Sequence, residues 1–246
     1  MTIVAGPEAA PAIVFIHGTR LTGSMWTGQL AALAGEFRVV AVDLPGHGTR
    51  AAEPFTLETA AGAVSAAIHD ETVGRAVVVG LSLGGYVAMA LAAREPERVR
   101  GLVLCGATAE PVGRRSLPYL ALAAIMDGVE DGRLCRANAW YLRQRYPAAI
   151  AEPIITGGFW FTGGAAALRA LSGEPFAPRL AAYPGPTLIL NGEFDPIFRL
   201  GAGRFAAAAV NVRRVRLAGA THLANLDRPA AFNEAVRRFV RSLGTD

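Results

Sequence analysis

Ala76-Val77-Val78-Val79-Gly80-Leu81-Ser82-Leu83-Gly84-Gly85 is the stretch on which the fold turns. Ala76–Val79 is a continuous apolar run, the pattern of a strand buried on both faces. From Leu83 to Arg94 the apolar residues recur at helical spacing, and Pro96 stops them. A strand that passes into a helix over Gly-x-Ser-x-Gly makes a sharp, strained turn, and it needs small neighbours to do so. Gly80 and Gly84 relieve the crowding, and Gly85 lets helix and strand approach closely. Such a turn lifts the Ser82 hydroxyl to the carboxyl edge of a sheet. It also aims the N–H of Leu83 at whatever the hydroxyl attacks.

The same alternation runs outward in both directions. Strands are expected at Ala12–Ile16, Arg38–Val42, Val99–Cys105, Thr187–Asn191 and Val212–Leu217, with Thr2–Ala5 as the sole candidate before them. Helices are expected at Ser24–Ala34, Thr56–Asp70, Pro196–Ala209 and Pro229–Leu243, the last begun by a capping Asp227 side chain and Pro229. Strand and helix alternating in this way specify an α/β fold, a mostly parallel sheet flanked by helices. The pattern breaks near Glu110. Residues 111–180 hold no buried strand, only helical segments at Leu117–Met126, Leu134–Tyr146 and Ala165–Leu171. They are rich in aromatics: Trp140, Tyr141, Tyr146, Phe159, Trp160, Phe161 and Phe176. This stretch is expected to be a helical cap inserted into a core of residues 1–110 and 181–246. It would lie over the carboxyl edge of the sheet, where open α/β folds bind ligands.

A serine hydroxyl is a weak nucleophile until a base takes its proton. Only four histidines are available. His69 lies beside Asp70 in a helix, and His17 and His47 sit in Gly turns whose role is loop geometry. His222 follows the last strand on a loop free to reach the edge, so it is the expected base. The acid that orients it is expected to be Asp195, which ends the strand Thr187–Asn191 and precedes a helix. Glu193 and Asp43 are its competitors.

At this point the chain resembles the α/β-hydrolase superfamily, whose triad runs nucleophile, acid, histidine. The resemblance rests on Phe15-Ile16-His17-Gly18-Thr19, Asp43-Leu44-Pro45-Gly46-His47-Gly48, the Ser82 turn, Pro96-Glu97-Arg98-Val99, Asn191-Gly192-Glu193-Phe194-Asp195 and the His222 loop. The tail His222–Phe232 looks most like the serine esterase and 3-oxoadipate enol-lactonase branch. The resemblance implies hydrolysis of an ester or lactone through an acyl-enzyme on Ser82, without a cofactor. It also implies an oxyanion hole built from the N–H groups of Thr19 and Leu83. Acyltransferase, perhydrolase and C–C hydrolase chemistry would use the same triad, and a non-catalytic receptor would not need it. Relatives begin with a longer antiparallel hairpin, so the sheet is expected to be shortened at its N-terminal edge. Arg20 reads equally well as a partner for a substrate carboxylate or as a solvent-facing loop residue. Trp140, Phe159 and Trp160 are the candidates for lining an apolar pocket.

Composition narrows the partners. The chain has 246 residues, long enough for one large core with an insertion. All 24 basic residues are Arg against 20 acidic ones, giving a net charge of +4. The Arg residues are spread along the chain without aromatic interleaving, which argues against nucleic-acid binding. Arg214 and Arg216 alternate on the last strand, as suits an unpaired edge. Cys105 and Cys135 have no metal-type spacing, so no metal site is expected. The N-terminus has no signal-peptide pattern, and no stretch is long and apolar enough to span a membrane. A cytoplasmic protein acting on a small molecule is the expectation, and the sequence carries no sign of its oligomeric state.

Overall fold

The computed structural model describes residues 2–128 and 131–244. The apolar runs become strands β1 (Ile3–Ala5), β2 (Ala12–Ile16), β3 (Arg38–Val42), β4 (Ala76–Leu81), β5 (Val99–Cys105), β6 (Pro186–Gly192) and β7 (Asn211–Leu217). They form one sheet in the order β1-β3-β2-β4-β5-β6-β7. Every pairing is parallel except that of β1 with β3. The short N-terminal edge expected from the sequence is this three-residue antiparallel strand. The other edge is β7, whose Arg213, Arg214 and Arg216 are exposed.

Side chains alternate across the sheet, as the pleat requires. Val14, Ile16, Val40, Val78 and Leu104 face one layer, with α2 (Leu57–Glu71) and α3 (Leu83–Arg94). Ile13, Phe15, Val39, Val79 and Leu188 face the other, with α1 (Thr27–Leu33) and the terminal helix. There Trp26 lies between Phe15 and Phe232, at ring-centroid distances of 4.9 and 5.8 Å. Burying a large apolar side chain of this kind contributes about 1.5–3 kcal/mol. The start of α2 is fixed by a reciprocal cap: Thr56 Oγ1 accepts from the Thr59 N–H at 3.0 Å, and the Thr56 N–H donates to Thr59 Oγ1 at 2.9 Å.

Among the described residues, five α-helices lie between β5 and β6: α4 (Leu117–Gly128), α5 (Asp131–Arg145), α6 (Ala148–Gly157), α7 (Phe161–Leu171) and α8 (Phe176–Ala181). The last returns to the main core, where the Phe176 and Tyr86 rings lie 4.6 Å apart. The chain continues through α9 (Pro196–Ala208), the single turn α10 (Ala224–Asp227) and α11 (Pro229–Arg241).

Asp227 does not cap α11, contrary to the expectation. The residue before that helix is Arg228, and no side chain caps it. The Asp227 carboxylate is taken by other donors: the N–H and hydroxyl of Thr221 at 2.7 and 2.5 Å, and the Tyr146 hydroxyl and Arg145 at 3.0 Å each. Burial would raise its pKa, but these donors hold it below the usual carboxylate range. Among the described residues no helix is long and apolar enough to cross a membrane.

β2 sits between β3 and β4, so the chain leaves β2 toward one side of the sheet and continues from β3 to β4 on the other. This is a topological switch point, the place where an open α/β sheet leaves a crevice at its carboxyl edge. Ile16 pairs with Gly80 across it. The register sets the turn after β2 beside the turn after β4.

Candidate active site

Ser82 has φ 52° and ψ −116°, and only Arg20 shares a positive φ with it among the described non-glycine residues. Such a conformation costs on the order of 1–3 kcal/mol and persists only where its surroundings enforce it. The surroundings are visible here. The Ser82 N–H donates to the Cys105 carbonyl at 2.8 Å, and the Ser82 carbonyl accepts from the Gly85 N–H at 2.9 Å. A Cβ on Gly80 would collide with the Gly84 carbonyl, and one on Gly84 with the Ile16 carbonyl. Strand, turn and helix therefore close only with glycine at both positions. Leu83 is the first residue of α3, so its N–H lies ahead of the first intrahelical hydrogen bond.

The turn after β2 is the neighbour of this elbow. It closes with the Leu21 N–H on the Gly18 carbonyl at 3.2 Å, leaving Thr19 and Arg20 as its central pair. His17 braces it. One ring nitrogen accepts from the Leu44 N–H at 3.0 Å, and the other donates to the Gly18 carbonyl at 2.9 Å. His47 packs on it at 5.0 Å between ring centroids, and its Nδ1 lies 2.9 Å from the Pro45 carbonyl. Burial, with the neighbouring His47 ring, holds His17 well below the usual imidazole range. Burial also lowers the pKa of His47. Both histidines are structural parts of the carboxyl edge.

Across the sheet edge, Asp195 ends the turn after β6 and stands just before Pro196 of α9; it is 5% exposed. His222 Nδ1 lies 2.8 Å from Asp195 Oδ2. The Phe198 ring stacks on the imidazole at 4.9 Å. Beneath the pair runs Gly106, with φ 56°, where a Cβ would come 2.8 Å from both Cε1 and Nδ1 of His222. Asn191 fixes that glycine by accepting its N–H at 3.1 Å. The two competing acids are engaged elsewhere. Glu193 accepts the Gly219 N–H at 2.9 Å, and Asp43 accepts the N–H groups of Gly23 and Thr49 at 2.9 and 3.0 Å.

Ser82 and His222 open into one cavity of about 870 Å³, between the carboxyl edge and the inserted helices. Its walls are mainly apolar, with Leu21, Leu142, Ile154 and Leu168 among them. Thr19 and Arg20 line it, as does Phe159. Trp140 and Trp160 do not, which corrects the expectation for both. Trp140 is 65% exposed on α5. Trp160 donates its backbone N–H to the Arg20 carbonyl at 2.9 Å and its indole Nε1–H to the Gly157 carbonyl at 3.1 Å. Tyr141, one of the aromatics of the inserted stretch, lines the cavity too, as do Tyr119, Asn138 and Phe198, which the sequence does not single out. Asn138 and Tyr141 share the helical face of α5 with Leu134 and Leu142, and that i, i+3, i+4 spacing was the available signal. The Cys105 thiol is fully buried, which pushes its pKa up and removes it from chemistry. Among the described residues no cluster of His, Cys, Asp and Glu could hold a metal ion.

Residues 13–235 match the model of the alpha/beta hydrolase family. The chain is 28% identical to a 3-oxoadipate enol-lactonase of Acinetobacter baylyi, over 98% of this chain and 92% of that one. It is 30% identical to a pimeloyl-[acyl-carrier protein] methyl ester esterase of Chromobacterium violaceum, over 85% and 84%. The structure of the enol-lactonase from Burkholderia xenovorans superimposes with a TM-score of 0.84 at 28% identity, covering 98% of this chain and 96% of that one.

Proposed function

The chain belongs to the alpha/beta hydrolase family, and from that premise we propose that it is a serine hydrolase of carboxylic esters or lactones. The observation that carries the reading is the convergence of the strained Ser82 turn and the His222–Asp195 pair, 2.8 Å apart, on one cavity. An ionised Asp195 accepts the Nδ1 proton of His222, which leaves Nε2 as the base that removes the Ser82 proton. The Ser82 oxygen attacks the carbonyl carbon. The N–H groups of Thr19 and Leu83 hold the oxyanion, each worth about 10²–10³-fold in turnover. His222 then protonates the departing alcohol, or the ring oxygen of a lactone. Water, deprotonated by His222, releases the acid and regenerates Ser82.

The apolar walls favour small, largely hydrophobic substrates. The relatives named above, an enol-lactonase and a methyl ester esterase, support ester or lactone cleavage over the other chemistries the triad serves. A graded panel of p-nitrophenyl esters and lactones tests this. The wild-type protein is expected to turn over several members, and Ser82→Ala to lose that activity with an unchanged far-UV spectrum. Retained activity in Ser82→Ala would overturn the proposal.

A further inference from the structure

Arg20 occupies the third position of the Gly18–Leu21 turn with φ 61°. That place in a type II turn calls for glycine or asparagine, because a side chain there crowds its own backbone. The strain has no structural return visible in the side chain's contacts. Among the described residues the guanidinium makes one hydrogen bond, from Nε to Asn138 Oδ1 at 3.2 Å. Asn138 is itself oriented by its Nδ2, which donates to the Leu134 carbonyl at 2.8 Å, so its oxygen is turned toward Arg20. Among the described residues no carboxylate lies within 4.0 Å of Arg20. The contrast is Arg204, another residue of the cavity wall, which pairs with Glu110 at 3.5 Å. Yet Arg20 is half-buried, and its Cα is one peptide, about 3.8 Å, from that of Thr19. A cation drawn out of water without a counter-ion is costly and calls for an anion from elsewhere.

We propose that Arg20, held by Asn138, is the subsite for a carboxylate on the substrate, so that the natural substrate is an ester or lactone bearing a free carboxylate near the scissile group. The fork of the guanidinium fits a planar carboxylate through two parallel hydrogen bonds. Nε is committed to Asn138, and among the described residues the terminal N–H groups of this cavity-lining side chain have no hydrogen-bond partner. This inference rests on the proposed hydrolysis at Ser82.

The test compares matched substrates: monomethyl glutarate with methyl butyrate, for charge on the acyl side, and the butyryl ester of glycolate with ethyl butyrate, for charge on the alcohol side. Charge-assisted hydrogen bonds predict that the charged member of at least one pair is preferred about 10–100-fold in kcat/KM. In Arg20→Gly and in Arg20→Gln that ratio is expected to fall to near one. Arg20→Gly is also expected to melt no lower than the wild type, because glycine removes the strain at φ 61°. A merely structural arginine would give a lower Tm and an unchanged ratio. Isothermal titration of Ser82→Ala with glutarate separates this inference from the hydrolase reading, since binding needs no turnover. Binding to Ser82→Ala that weakens at least tenfold in the Ser82→Ala/Arg20→Gly double variant supports the subsite. No charged preference in either pair, a ratio unmoved by Arg20→Gly, or no glutarate binding overturns it, whether or not Ser82 proves to be the nucleophile.

Discussion

Gly106 lies directly under the hydrogen bond between His222 and Asp195, and its missing side chain is the space the imidazole occupies. Gly106→Ala would place a methyl group 2.8 Å from two ring atoms, at a φ of 56° that alanine avoids. The expected result is a fall in kcat of at least about 10²-fold, in line with the cost of small misplacements at a reacting centre. Esterase assays together with a denaturant titration check this; near-wild-type kcat would mean the ring is held some other way.

Asp195 and Glu193 are two residues apart, and only Asp195 reaches His222. Asp195→Asn is expected to lower kcat by about 10⁴-fold, as losing the orienting acid does in other triads. Glu193→Gln should cost less than about tenfold, since its carboxylate holds the Gly219 N–H. The reverse ranking in steady-state kinetics would assign the acid to Glu193.

Asp227 ties the loop that carries His222 to the inserted helices through Thr221 and Tyr146. Asp227→Asn keeps the shape but not the charge that gathers four donors. Stability is expected to drop by about 1–3 kcal/mol, the usual cost of leaving buried donors unsatisfied. Activity should fall as well, through the loosened loop. Chemical denaturation and kcat measured on the same preparation decide it; an unchanged midpoint would remove Asp227 from the account.

The buried pair His17 and His47 predicts how stability responds to acid. Both pKa values are depressed in the folded protein, that of His17 to about 3, so the His17 ring stays neutral there and His47 takes its proton less readily than in the unfolded chain, where both protonate near pH 6.5. Stability is therefore fully present above about pH 6.5 and is lost as pH falls below it. The limiting slope is about 1.4 kcal/mol per pH unit for His17, and His47 adds to it in the same direction. Guanidinium titrations between pH 7.5 and 5 stay above the range where most carboxylates titrate. A flat or rising stability over that interval would contradict the burial of these rings as neutral species.

How far the sequence could be read follows from what each element is made of. Strands β2 to β6 are almost wholly buried on both faces, so each shows in the sequence as a mainly apolar run. β1 has three half-buried residues and carries only a faint signal. The Ser82 turn was legible because its glycines are required by backbone contacts within a few residues of sequence. The inserted helices were harder. Leu117, Leu120, Ile125 and Trp140 are all more than 40% exposed, so hydrophobicity there does not mark the inward face. That is why Trp140 was misplaced and Asn138 overlooked. The Asp227 cap failed for another reason: an Asp two residues before Pro looks like a helix start, and nothing local reveals that Thr221 and Tyr146 compete for its carboxylate.

If Ser82 is a nucleophile activated by His222, an alkyl p-nitrophenyl phosphonate labels it stoichiometrically. One equivalent of p-nitrophenol is expected per chain, with a single adduct mapped by peptide mass spectrometry to Ser82. Ser82→Ala should lose the adduct, and His222→Ala should form it at least about 10²-fold more slowly. No adduct, or one formed equally well in Ser82→Ala, would contradict a nucleophilic Ser82.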